Sequence, residues 1–514
     1  MRIPEGELRD EVMVDIIRSP VITRGYDNQD DHEKRECHQE DQRKVFLGEM
    51  LHSVLLRESM RSKVIRKCIF IRFADSSFIP GMRSFKNILL SLVLLLLLFP
   101  LLQSRTGLVK EKRLQGFFQL KEKPSLWSFT WKGWLRGNFQ EEYSQRLEDH
   151  TGFRNSFIRI RNQVDYSLFG ISHATGFIRE KQGYLIEEDY IHEYTGKYFI
   201  GKTTIDRKLD RLKEVIEKLK ENHTALILVF EPGKASFFPE YIPERFHPSD
   251  RSLTNYEYIL SGLRRRQIPF LDLNHYFLLM KDTSRYPLFP KYGMHWSLYG
   301  MWQAVDTLAK YIGKVSGTEI PAIAVRKVEV TDTLRGSDND IGFLMNLVFP
   351  LPRTRAAYPV TDVEDNPAKR TLSALVIGDS YYVNIEQEVA SRLFKKEEYW
   401  YYNSKVYPFT EDDNHPVYID KSDLAGKLKQ FDILLLTVSE INLHCMYWDF
   451  IDEAYLAFNP GEKDDPVYAY ENKIRDYRDW FRFVVEKARS QQRPLERMIR
   501  ADAEYMYGLE NKKQ

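Results

Sequence analysis

Cysteine is scarce in this chain. There are three in 514 residues: Cys37, Cys68 and Cys445. Only Cys445 lies in the part with a globular pattern, so no disulfide framework can be built there. That does not exclude an exported domain, because many such domains contain no disulfide. There is no CxxC and no His/Cys cluster of the kind that holds structural zinc. An excess of charge of one sign is also missing. Lys and Arg number 75 against 74 Asp and Glu, a net charge of +1. This gives no electrostatic ground for nucleic-acid binding, and none is expected. Internal repeats are absent, and low complexity is confined to one leucine run. Aromatics, at 13%, are plentiful and suggest a well-packed body. The length exceeds one small domain and is ample for a sizeable core.

The leucine run is Ile88 to Leu102, ILLSLVLLLLLFPLL, broken only by Ser91 and Pro100. At 1.5 Å per residue it reaches about 22 Å, short of the roughly 30 Å hydrocarbon core of a bilayer. It therefore fits a signal-peptide core or a short signal anchor. It has no polar face, unlike a core helix of a soluble domain. Lys63, Arg66, Lys67, Arg72, Arg83 and Lys86 precede it. By the positive-inside rule the large C-terminal part is then exported. Arg105, Lys110, Lys112 and Arg113 follow the run and act against that orientation. Met82 begins MRSFKNILLSLVLLLLLF, which has the pattern of a complete export signal. Residues 1–81 are polar and charge-mixed. They are expected to be either an upstream stretch not translated natively or a disordered cytoplasmic tail. No small-x-small cleavage site follows Pro100. The expectation is an uncleaved anchor in the cell inner membrane with the main domain periplasmic.

Four regions are expected: the polar extension 1–81, the signal or anchor 82–106, a main domain 107–460 and a C-terminal helical extension 461–514. Leu108 to Trp134 looks like an irregular lead-in. Helical patterns follow around Phe139–Leu147 and after Gly152, the second placing Phe157, Ile160, Val164 and Leu168 at spacings of 3 and 4. Gly176–Ile186 predicts a hairpin with Gly183 near its turn. Helices are predicted over Ile205–Leu219, Tyr256–Leu263 and Met301–Ile312. Strands are predicted over Ala225–Phe230, Ile268–Leu273, Leu372–Ile377 and Phe431–Val438. Such alternation argues for an α/β fold with a parallel sheet covered by helices. In these folds sites form where strand C-termini meet loops. Glu231, Ser380 and Glu440 all follow strand ends. Near the C-terminus, Ile474, Tyr477, Phe481, Val484 and Ala488 mark one helix. Leu495, Met498, Ile499 and Met506 mark a second, beyond Pro494. This pair is expected to pack on the sheet.

Two short segments carry the chemistry. Ser380 follows an apolar strand in Gly378-Asp379-Ser380, where a tight bend can expose a serine hydroxyl. By itself such a triplet is a common turn. His295 lies in Gly293-Met294-His295-Trp296-Ser297, just before an amphipathic helix. A serine nucleophile needs an imidazole to take its proton. Of the histidines in the exported part, His295 is better placed than His223, His247, His275 or His444. A histidine packed by Trp296 at a helix start is the plainer alternative.

His-Trp-Ser followed by a strand ending in Gly-Asp-Ser resembles the SGNH-hydrolase-like domain of the alginate O-acetyltransferase proteins, the AlgJ/AlgX type. Gly183-Tyr184-Leu185-Ile186 is similar to that family's G…GWLF hairpin. Glu231-Pro232-Gly233-Lys234 with Phe238-Pro239-Glu240 is similar to its P-x-K…YP loop. Ser439-Glu440-Ile441-Asn442-Leu443 resembles its late E-R-x-L segment. The resemblance covers roughly residues 110–445. It implies an SGNH-like sheet flanked by helices, with Ser380 as nucleophile and His295 as base. It also implies acyl transfer onto an exported polysaccharide, with a membrane-bound O-acyltransferase as donor, and requires no metal or other cofactor. Lys234, Glu231 and Trp296 are candidate substrate contacts.

One position departs from the family. Its motif is Asp-x-His-Trp, the aspartate orienting the histidine, and here that position is Gly293. Losing the orienting carboxylate of a serine triad typically costs about 10⁴ in rate. Three readings stay open on the sequence. Glu440, Asp379 or Glu231 orients His295; or a Ser–His dyad suffices; or the domain has lost catalysis and serves as a glycan-binding or assembly module. A simple carbohydrate acetylesterase is a further alternative.

Overall fold

The computed structural model describes residues 80–116, 129–408 and 417–511. The expectations for residues 1–79, including Cys37 and Cys68, and for 117–128 of the lead-in lie outside the described residues. The chain divides into two compact units. Of the described residues, one takes in 80–113 and 129–157, and the other takes in 114–116, 158–408 and 417–511.

In the first of these units the apolar run sits inside helix α1, Pro80–Thr106. Its segment Phe85–Thr106, 22 residues, is long and apolar enough to cross a membrane. At 1.5 Å per residue that is about 33 Å, which covers the hydrocarbon core. The leucine run alone falls short because the helix continues past it at both ends. Two further helices follow, α2 (Trp131–Arg136) and α3 (Asn138–Asp149). The Thr130 hydroxyl accepts from Gly133 N and caps α2. Helix α4, Arg154–Phe169, opens in this unit and continues into the other.

The larger unit contains the sheet. Its principal helices are α5 (Lys202–Lys220), α6 (Asn255–Arg265), α7 (Leu298–Ser316), α8 (Ser380–Ile385), α9 (Phe450–Phe458), α10 (Pro466–Asp476), α11 (Arg478–Ser490) and α12 (Leu495–Asn511). Its strands are β1 (Phe177–Arg179), β2 (Leu185–Glu187), β3 (Ala225–Glu231), β4 (Phe270–Asp272), β5 (Ile323–Thr331), β6 (Ala356–Val363), β7 (Ser373–Gly378), β8 (Lys396–Tyr401), β9 (Lys405–Tyr407) and β10 (Ile433–Ser439). The central sheet has the order β4-β3-β10-β7-β8-β9. All its pairings are parallel except β8 with β9. Strand β10 (ILLLTVS) is buried throughout, as expected of a strand covered on both faces.

Alternation sorts the side chains between the faces. Leu226, Leu228 and Phe230 of β3 join Leu434, Leu436 and Val438 of β10 and Leu375 and Ile377 of β7 in one core. The same core takes Leu209 and Leu212 of α5, Ile259 and Leu263 of α6, Ile451 of α9, Ile474 of α10, Val484 of α11 and Ile499 of α12. Asp452 of α9 lies within this packing and is held by Lys208 and Arg211 of α5. The opposite phase of the strands carries Glu231, Thr437, Ser439 and Gly378. There α7 lies against β3 and α8.

Three expectations change. The predicted C-terminal helix through Tyr477 is two helices, because Tyr477 is extended (φ −94°, ψ 95°) although the apolar spacing runs straight through it. Strands β8 and β9 are additions. β8 opens Lys-Glu-Glu, which hides its aromatic half, and its pairing is set by β7. Strands β5 and β6 form a separate antiparallel pair, and the segment between them supplies a residue of the site.

Candidate active site

β3, β10 and β7 are neighbours, so their C-terminal ends meet in one place. The chain leaves β3 toward β4 on one side, and β7 toward β8 on the other. Such a divergence opens a crevice at the strand ends, where α/β sheets place ligands. Gly378 lies there because a side chain would strike Thr437 of β10; its Cβ would fall 2.1 Å from the hydroxyl oxygen. Asp379 then caps α8, accepting from Tyr381 N at 3.1 Å, and Ser380 is the first helical residue. A first-turn N–H has no partner within its own helix, so the Ser380 amide is not consumed by α8.

His295 arrives from the start of α7. The Ser297 hydroxyl accepts from Gly300 N at 2.9 Å and donates to Pro287 O at 2.6 Å. This pins the residues just before the helix. Trp296 is fully buried against Phe277 and Tyr381, and Tyr381 also lies edge-on to the His295 ring at 4.8 Å. His295 Nε2 lies 2.8 Å from Ser380 Oγ, the reach a general base requires.

The other ring nitrogen meets a residue that sequence reasoning did not single out. His295 Nδ1 lies 3.2 Å from Asp340 Oδ2. Asp340 comes from the segment between β5 and β6 and is held from several sides. Its Oδ1 accepts from Met294 N at 2.9 Å and from Ile341 N at 2.6 Å. Neighbouring Asp338 accepts from Leu298 N at 3.2 Å, and Ser337 accepts from Asn384 Nδ2 at 3.0 Å. The segment is thus fastened to both the histidine loop and the nucleophile helix. It also accounts for Gly293. A Cβ there would lie 2.2 Å from Ser337 O and 2.7 Å from Pro290 Cγ. The space where a motif aspartate would start is filled by the segment that delivers Asp340. Gly293→Asp is therefore expected to destabilise the fold, by about 1–3 kcal/mol as overpacked cores do. Thermal unfolding of the variant tests this, and an unchanged midpoint would contradict it.

The other candidates take different places. Asp379 is buried, and its Oδ2 accepts from Ser439 N at 2.9 Å, from Asn442 Nδ2 at 2.8 Å and from the Ser439 hydroxyl. It braces β7 against β10 below the serine instead of touching His295. Glu440 is bonded to the Ser236 hydroxyl, and burial pushes its carboxyl up to about 8. Glu231 is buried beside Asp379, and burial first, then that neighbouring charge, keep it protonated well above the ordinary range. Neither glutamate is the acid at His295. Nor are Glu231, Lys234 and Trp296 surface contacts for a substrate. Lys234 is fully buried, its Nζ donating to Leu185 O and Gly293 O at 2.7 Å each. It clamps β2 to the histidine loop. Burial lowers its pKa and raises that of nearby buried Glu180.

Several buried carboxyls hold their protons unusually tightly. Glu440 is raised to about 8 and Asp338 and Glu397 to about 7, burial being the main cause in each. A raised folded-state value contributes stability below the unfolded value, near 4, that is lost as pH climbs through the folded one. Stability should therefore fall between about pH 5 and about pH 8. Thermal melts across that window test this. Glu440→Gln should flatten part of the slope, and a slope of opposite sign would overturn the assignment.

With the geometry established, comparison with known proteins places the domain. Residues 190–379 match the family model described as "SGNH hydrolase-like domain, acetyltransferase AlgX". The match contains His295 and Asp340 and ends one residue before Ser380. No curated protein matches the chain. Among solved structures, the O-acetyltransferase domain of Pseudomonas putida AlgJ is 18% identical, covering 52% of this chain and 92% of that one, with a TM-score of 0.36. Pseudomonas aeruginosa AlgX is 14% identical over 54% and 67%, TM-score 0.36. Bacillus cereus PatB1 is 12% identical over 52% and 97%, TM-score 0.35. Over residues 190–379 the chain is thus similar to the SGNH hydrolase-like domain of AlgX-type acetyltransferases.

Proposed function

We propose that this protein is a membrane-anchored O-acetyltransferase whose exported domain acetylates a cell-envelope or exopolysaccharide through an acyl-serine. The observation that carries this reading is the run Ser380 Oγ, His295 Nε2, His295 Nδ1, Asp340 Oδ2, with separations of 2.8 Å and 3.2 Å at its two ends. His295 takes the Ser380 proton as Oγ attacks the carbonyl carbon of an acetyl donor. The Ser380 amide, at the start of α8, faces the negative charge that gathers on the carbonyl oxygen. The donor's leaving group departs with the proton from His295. A sugar hydroxyl then gives its proton to His295 and attacks the acetyl-serine; as the ester bond to Oγ breaks, His295 returns that proton to Oγ and Ser380 is regenerated. Asp340 holds the imidazole in the tautomer with its proton on Nδ1 and steadies the imidazolium that forms.

The non-catalytic alternative drew on the missing aspartate at 293, and Asp340 supplies a carboxylate to the same imidazole nitrogen. An exported domain does not meet cytosolic acetyl-CoA, so the donor is expected to be a membrane-bound O-acyltransferase. Helix α1 is the anchor, with the domain on the periplasmic side. Incubating the full chain with a chromogenic acetyl ester, with and without an acceptor polysaccharide, tests the reading. Acetyl groups on the polymer support it. Acetate release alone makes the protein an esterase. Neither product would return the non-catalytic alternative.

A further inference from the structure

Helix α4 is amphipathic the wrong way round. Its polar side faces the domain: Arg159 donates to Leu347 O at 3.2 Å, buried Asn162 donates to Met345 O at 2.9 Å, and Gln163 Oε1 accepts from Phe349 N at 3.0 Å. Its apolar stripe faces outward. Ile160 is 52% exposed, Val164 46% and Leu168 71%, with Phe169 at 68% just beyond. The loop bonded to this helix adds Val348, 46% exposed, and Phe349, 67% exposed. Three hydrogen bonds fix the polar side inward, so the helix cannot roll to hide the stripe without breaking them. Soluble proteins seldom leave such a contiguous surface without use.

Resting on the membrane-anchored reading above, we propose that the outer face of α4, together with Val348 and Phe349, lies in the interfacial layer of a phospholipid bilayer. Arg161 flanks the stripe, its side chain 71% exposed and 3.7 Å from Asp165; farther along the loop that carries Phe349, Arg353 is 84% exposed and paired with Asp332 at 3.0 Å, and Arg355 is exposed. An apolar stripe bordered by arginines suits lipid acyl chains below and phosphates alongside. A second copy of the helix fits less well. A helix–helix seam is a narrow stripe, and Val348 and Phe349 broaden this one with non-helical surface. A chain already held by one spanning helix also needs little further affinity to keep such a face seated.

The test uses the full chain in phosphatidylethanolamine–phosphatidylglycerol vesicles. Cys37 and Cys68 are replaced by serine, and an environment-sensitive fluorophore is attached through Leu168→Cys or, as control, through Lys218→Cys on α5. Blue-shifted emission at 168, quenched by nitroxide lipids but not by aqueous iodide, is the expected result, with the reverse at 218. A second pair, Ile160→Asp with Val164→Asp, should abolish the blue shift of a label at Phe349→Cys. These positions are exposed, so the fold should tolerate them. If the protein floats with the vesicles while 168 behaves like 218, the proposal is overturned and the anchor stands. If the protein does not float, both fall. Shielding at 168 that depends on protein concentration and not on lipid would show a second copy in place of the bilayer.

Discussion

Ser380→Ala should abolish acetyl-ester turnover, a fall of about 10⁶ in kcat if the serine acts with its base as a unit. The expectation is large because the Ser380 hydroxyl stands 2.8 Å from His295 Nε2, at the end of β7. Little else should change. Asp379 would still cap α8 through Tyr381 N, and the apolar strand beneath is untouched. Wild-type protein incubated with a slow ester should gain the mass of one acetyl group, and the variant should not. A serine-reactive phosphonate should label the peptide containing Ser380 and no other. Turnover that survives the substitution would remove Ser380 as nucleophile, whatever the fate of the domain assignment.

Asp340→Asn is the second large effect, expected at about 10⁴ in kcat. The two oxygens of Asp340 do different work. Oδ1 receives backbone N–H groups from Met294 and Ile341, while Oδ2 faces His295 Nδ1. An amide can keep the first role. In the second, its NH₂ group faces Nδ1 and favours the tautomer whose proton sits on Nε2, so no lone pair is left for the serine. The histidine would be present, correctly placed and in the wrong protonation state. Thermal stability should move little, whereas kcat should fall with KM nearly constant. Asp340→Ala should lose activity too, and adding Gly293→Asp should not restore it, because the 337–340 segment occupies that space. A full recovery in the double variant would mean that position 293 can still hold the acid.

How much of this was legible beforehand follows from where the signals live. β3, β7 and β10 announce themselves as uninterrupted apolar runs because both their faces are covered, and α5, α6 and α7 by helical spacing. Ser380 and His295 could be found for the same reason: each sits just outside a strongly patterned element. Asp340 could not. It lies in GSDNDIG, a polar stretch between two strands with weak patterns, and nothing local distinguishes its carboxylate from that of Asp338. Only the docking of that segment onto Met294 and Leu298 selects it. The available hint was the glycine at 293, read as a loss when it marks occupied space. Lys234, Glu231 and Trp296 misled in the opposite sense. Polar or aromatic residues after a strand suggest a surface, but here the close approach of β2, β10 and the histidine loop buries them. The stripe on α4 shows a further limit, because periodicity reveals that a helix has an apolar side and not which way that side turns.

The route by which Asp340 reaches the site has a consequence for control. His295 and Asp340 are 45 positions apart, and the segment between them runs through α7, then β5 and the turn that follows it. The central sheet takes no strand from this excursion. Lifting the 337–340 segment alone would leave every strand of the central sheet in place while removing the carboxylate that faces the imidazole. Acid and nucleophile thus start from different parts of the fold and are tied together through Ser337 and Asn384. Anything that displaced the 337–340 segment would be expected to silence the proposed acetyl transfer with the serine still in place and the sheet still folded.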